Sequence, residues 1–239
     1  MLIKKCWFDL KTRFLWIMVV SLCWVAFISR NYFHLIKLNR SGALNAKNMA
    51  AINLVTDYPS FVNIGFFIMG LALFAFLTWI LALGGMLAQK NRSVLHMTLS
   101  LPLRRSHWLM GHAGMTAFLV LILIYIYTFS FLIIAYFGGK YYPLGTAMIN
   151  ALLLWLHCLP WIGLSLLANS FFHSGFKSMM FLFIFLLILF KMHLPEFLFF
   201  HNGIAELKDV ITWKIFLVIV ITTIGTTGLA IWKFNRNEY

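Results

Sequence analysis

Six runs of apolar residues, separated by short polar stretches, dominate the chain. A helix that crosses a membrane needs about 20 such residues, with roughly 17–25 tolerated. The runs predict spans over residues 14–29, 61–88, 108–137, 144–168, 175–190 and 213–232. The first is short, and Arg13 and Arg30 extend it by snorkelling to the two interfaces. No charge interrupts the second, so it is read as long and tilted. Gly138-Gly139-Lys140 ends the third run in a tight turn. Pro160 removes one hydrogen bond inside the fourth and predicts a kink there.

The polar stretches have patterns of their own. Residues 1–12 mix Leu2, Ile3, Trp7, Phe8 and Leu10 with Lys4, Lys5, Asp9 and Lys11. That is the pattern of a helix lying in the interface plane. Residues 30–60 read as a polar loop, 89–107 as a compact basic loop and 191–212 as an external amphipathic loop. The fold class is an all-α integral membrane protein. It has about six transmembrane helices, an N-terminal interfacial amphipathic helix, and one transmembrane domain over residues 1–239.

Composition agrees with the pattern. Of the residues, 62% are hydrophobic and 10% are charged, against roughly 25% charged in an average soluble domain. Too few charges remain for a water-facing surface, and the lipid bilayer is the solvent that suits the chain. The net charge of +13 would suggest nucleic acid on a soluble protein. Here Lys and Arg sit at the ends of the apolar runs, where they anchor helices, and no nucleic-acid partner is expected. With the N-terminus inside, eleven Lys and Arg fall on the inner side and eight on the outer. That bias places both termini in the cytoplasm, with the chain multi-pass in a bacterial cytoplasmic (inner) membrane. Cys6, Cys23 and Cys158 form no CxxC pair and no disulfide framework.

Catalytic chemistry is sparse. The acidic residues are Asp9, Asp57, Glu196, Glu206, Asp209 and Glu238, and none lies mid-span. Proton-driven carriers use intramembrane carboxylates or His chains. Intramembrane hydrolases need paired carboxylates or an HExxH-type cluster. No phosphate loop is present, so the chain is not by itself an enzyme that hydrolyses ATP. No metal site is expected, since the methionines and histidines around residues 86–115 lack a repeated spacing that gathers ligands on one face. His157 and Asn150 lie seven residues apart on nearly one helix face. They, with Asn63 and Thr78, are the polar groups that either line a pathway or join helix to helix, and joining is the commoner use.

The basic loop is the informative segment. Val94, Leu95, Met97, Leu99 and Leu101 supply an apolar side, Ser93 can cap a short helix and Pro102 stops it. Arg104 and Arg105 stand beside it. Either a stub helix with a docking face or a basic loop on anionic headgroups fits that composition.

The string Leu99-Ser-Leu-Pro-Leu-Arg-Arg resembles the "LLSLPxSR" signature of ABC-2 type permeases, the membrane subunits of bacterial ABC transporters. The signature in that family also lies between the second and third of six helices. Pro102, Arg104 and Arg105 match it. Gln89 stands where the family has Glu, Ser93-Val94 where it has Gly-Thr, and His112 where it has Lys. The resemblance implies an ABC-2, type V exporter-like fold. It implies a second permease chain, as homodimer or heterodimer, and two ABC ATPase subunits docked from the cytoplasm. Ser93, Val94, Leu95, Met97, Leu99, Leu101, Pro102, Arg104 and Arg105 would form the coupling element. No cofactor is bound by this chain on that reading; ATP and Mg are used by the partner ATPase. The cargo would be hydrophobic or amphipathic: a peptide, a lipid or a drug. A gradient-driven secondary carrier or channel, and a non-transport membrane assembly factor or enzyme, are the alternatives.

Overall fold

The apolar runs fold as helices because a helix pairs its interior N–H and C=O groups within one segment, which an apolar setting without water requires. The computed structural model describes residues 2–40, 58–89, 105–172, 175–191 and 213–236. Every regular element among them is helical. In chain order they are α1 (Leu2–Arg40), α2 (Tyr58–Phe61), a π-helical segment (Val62–Ile68), α3 (Met69–Gln89), α4 (Arg105–Phe137), α5 (Leu144–Phe171), α6 (Gly175–Lys191) and α7 (Trp213–Arg236). α2, the π segment and α3 follow without a gap and make one rod.

Four helices are long and apolar enough to cross a membrane: Leu10–Lys37, Ser106–Phe137, Leu144–Phe171 and Phe216–Arg236. Met69–Leu83 and Phe176–Phe185 are shorter apolar stretches. α5 is the hub. It packs against α7, α3, α4 and α6, and most of the side chains from Asn150 to Ser170 that face it inward are buried. α7 is peripheral, with Leu217, Ile221, Ile224, Leu229 and Trp232 exposed on its outer side. Exposed apolar side chains of this kind suit a lipid environment.

Three expectations need correction. Residues 1–12 and 14–29 were expected as an interfacial helix followed by a short span; the structure joins them in one helix of 39 residues. The same helix runs through residues 30–40, which the charge pattern assigns to a loop. The reason is amphipathicity. Arg30, His34 and Lys37 recur along one exposed side, while Tyr32 is buried and Phe33 and Ile36 are half-buried on the other. Arg13 does not act only as a snorkelling anchor, since it is half-buried and its guanidinium reaches α3.

The turn between α4 and α5 follows its prediction. The Lys140 N–H donates to the Ala135 carbonyl at 2.9 Å and the Gly139 N–H to Tyr136 at 3.0 Å. That is the paired bonding of a Schellman motif. Gly139 occupies its left-handed position with φ of 68°, which costs glycine nothing. Gly138 is needed for a different reason: a Cβ there would collide with the Phe33 ring of α1. α5 continues through Pro160, whose missing N–H leaves the Leu156 carbonyl without its usual helical donor.

Candidate functional site

Asn63 sits in the π segment, near the end of the bundle that carries the Gly138-Gly139 turn. Its Oδ1 accepts from the Tyr142 hydroxyl at 2.8 Å and from Asn150 Nδ2 at 3.4 Å. Asn150 Nδ2 also donates to the Tyr142 oxygen at 3.1 Å. All three side chains are buried. The triangle ties the rod of the second helix to α5 and to the residue just before Pro143. Tyr142 was not singled out from sequence. Its position beside a proline at a helix entrance hides it among ordinary interfacial aromatics.

The groups of this cluster are neutral amides and a phenol. They can give and take hydrogen bonds but hold no mobile proton near neutral pH. The arrangement fits a helix-joining role better than a proton path. Replacing Asn150 by Leu is expected to cost about 1–2 kcal/mol of stability, because the change removes two buried bonds in an apolar setting. Unfolding of the purified variant in mixed micelles checks this, and a transition matching the parent's would show that the cluster adds nothing.

Thr78 and His157 stand apart from the triangle. Thr78 is buried on α3 beside the Cys158 thiol. His157 is buried on α5, about 10 Å along the axis from Asn150. Of the sequence-predicted polar groups, the structure therefore brings Asn63 and Asn150 together.

A second polar collar surrounds the other end of the rod. Arg13 of α1 donates through Nη1 to the Ile80 carbonyl at 3.5 Å. His112 of α4 places Nε2 3.3 Å from the Ala82 carbonyl. Asn169 of α5 donates through Nδ2 to the Leu83 carbonyl at 3.5 Å. Three helices thus grip nearly consecutive carbonyls of α3. His112 is further fixed by its stack on Trp108, with centroids 6.0 Å apart, and Trp108 stacks in turn on Phe234 at 5.8 Å. The signal for Asn169 was available, as a lone amide late in an apolar run. For Arg13 there was none, since a cation at a run end normally reads as an anchor.

The collar immediately precedes the basic loop. α3 ends at Gln89 and α4 begins at Arg105. Ser93, Val94, Leu95, Met97, Leu99, Leu101, Pro102 and Arg104 lie outside the described residues, as does the Arg105 side chain. Residues 192–212 of the expected external loop also lie outside them. Among the described residues no group of three or more His, Cys, Asp and Glu side chains is placed to hold a metal ion.

Comparison with protein-family models, with curated proteins and with solved structures finds no match.

Proposed function

We propose that the chain is the transmembrane permease subunit of an ATP-binding cassette transporter of the ABC-2 type. The second helix, once α2 and the π segment are added to α3, and α6 then act as spans beside the four long helices. Two permease chains pair in a bacterial inner membrane, and two ATPase subunits supply the energy from the cytoplasm. The observation that carries this reading is Leu99-Ser-Leu-Pro-Leu-Arg-Arg in the short basic connection between the second and third long helical bodies. Residues 1–239 contain no phosphate loop, and on this reading a separate ATPase performs hydrolysis.

The cargo on this reading is hydrophobic or amphipathic, because the apolar runs carry few polar groups and a sugar would need many more hydrogen-bonding partners. ATP-driven closure of the two ATPases would pull on the loop at residues 89–107. The collar of Arg13, His112 and Asn169 lies where that pull enters the bundle. The experiment that tests the reading is recovery of a phosphate-loop ATPase with the tagged chain from its own membrane in mild detergent.

A further inference from the structure

The second helix carries one wide turn in an otherwise α-helical rod. Val62–Ile68 is π-helical, with Tyr58–Phe61 before it and Met69–Gln89 after it. A wide turn of this kind holds about one residue more than the α-helix does, and it is rare. It persists where surrounding contacts over-determine it.

Those contacts are specific. The Tyr127 hydroxyl of α4 donates to the Phe66 carbonyl inside the wide turn at 3.1 Å. The Phe66 ring stacks on Tyr127 at 4.0 Å and on Phe131 at 4.1 Å. One turn earlier, Asn63 accepts from Tyr142 and Asn150. At the far end of the same rod, Arg13, His112 and Asn169 hold the carbonyls of Ile80, Ala82 and Leu83. Two sets of polar pins therefore grip one rod, and the wide turn lies beside the first set.

We propose that the wide turn is one of two registers of this helix, and that the rod is a built-in rotary switch. In the second register the extra residue passes into regular α-helix. With the collar holding α3, the segment Tyr58–Phe61 then turns by about 100° about the helix axis. Asn63 leaves Tyr142 and Asn150, and the Phe66 carbonyl leaves the Tyr127 hydroxyl. If instead the collar loosens, the same passage turns the end of α3 at Gln89. The switch thereby links the connection after Gln89 to the Tyr142 end of the bundle. Anything that binds one register more tightly shifts the balance. The proposal rests on the helix and its pins, and it stands or falls independently of the transport reading.

The test uses the full chain in bilayer discs, with Cys6, Cys23 and Cys158 replaced by Ser. Spin labels go on Pro59→Cys and Tyr141→Cys, both exposed positions. The expected result is a main label–label distance and a minor second one. Tyr127→Phe keeps the ring stack but removes one pin, and it should raise the minor population roughly two- to tenfold. Deleting Ile64 removes the extra residue while leaving both flanking segments in their present orientation, and it should leave the main distance alone. A single distance in the parent that Tyr127→Phe does not alter would overturn the proposal. So would two distances that survive the deletion of Ile64. Should Tyr127→Phe not fold, Asn63→Ala, which removes the other pin, is read on the same two distances.

Discussion

Replacing Gly163 by Leu is expected to destabilise the bundle by about 3 kcal/mol and to detach α7 from α5. Among the described glycines, Gly163 leaves the least space for a Cβ. A Cβ on Gly163 would collide with the Thr226 hydroxyl, and would stand 3.1 Å from the Thr227 hydroxyl and 3.2 Å from Thr226 Cβ. The backbone of α5 has no room to retreat, because Trp161, Ile162 and Leu166 beside it are buried against other helices. Small residues at such crossings are what lets transmembrane helices approach, since no hydrophobic force drives them together in lipid.

The threonines of α7 suit this contact. Thr223 bonds the Ile219 carbonyl at 2.7 Å and Thr226 the Thr222 carbonyl at 2.6 Å, and Thr222 bonds back to Val218. Their hydroxyls are satisfied on their own helix, so the contact needs shape rather than new hydrogen bonds. A double-mutant cycle isolates the collision. Thr226→Ala should recover about 1 kcal/mol of the loss caused by Gly163→Ala. Thermal unfolding in detergent reads both values. A Gly163→Leu variant that melts with the parent would mean that α7 does not seat on α5 as described.

If the chain is the permease subunit proposed above, replacing Leu95 and Leu99 by Asp is expected to weaken binding of its ATPase by at least about a hundredfold, while the chain still inserts. Each buried Leu contributes about 1.5–3 kcal/mol through its apolar surface, and every 1.4 kcal/mol is about tenfold in affinity. Two such losses at the centre of a small docking element exceed two orders of magnitude. The carboxylates add repulsion if the groove is acidic, as Arg104 and Arg105 would suit. The measurement is the amount of ATPase retained by the tagged variant relative to the parent at equal expression. Undiminished retention would remove residues 93–105 from the coupling role.

Much of the helical layout was legible in the chain. The run at 108–137 becomes Arg105–Phe137, and the one at 144–168 becomes Leu144–Phe171. Each is bounded by residues with a mechanical reason to stop a helix: the Gly138-Gly139 turn on one side and Pro143 on the other. The first helix was misread because charge was taken as an end. Arg30 and Lys37 lie on a helix that keeps its other side inward through Tyr32, so amphipathicity outweighs the break in hydropathy.

The polar cluster was half legible. Asn63 and Asn150 stand out in apolar runs, but nothing in the spacing pairs them, because they are 87 residues apart and meet only through tertiary packing. The π segment could not be read at all. Its sequence, Val-Asn-Ile-Gly-Phe-Phe-Ile, suits an ordinary buried helix. What accompanies the wide turn is the stack of Phe66 on Tyr127 and Phe131 and the hydroxyl of Tyr127, all contributed by a helix some sixty residues on.

The central claim is that this chain works with a separate ATPase. The most direct measurement is purification of the tagged chain from its native membrane in mild detergent, with the bound proteins identified by mass and ATP hydrolysis assayed on the same sample. The account predicts a phosphate-loop ATPase in equal amount, with activity that the Leu95→Asp, Leu99→Asp variant fails to recover. A preparation of intact, folded chain that carries no ATPase and no hydrolysis would contradict it, and would point to a gradient-driven carrier with His157 as its first functional candidate.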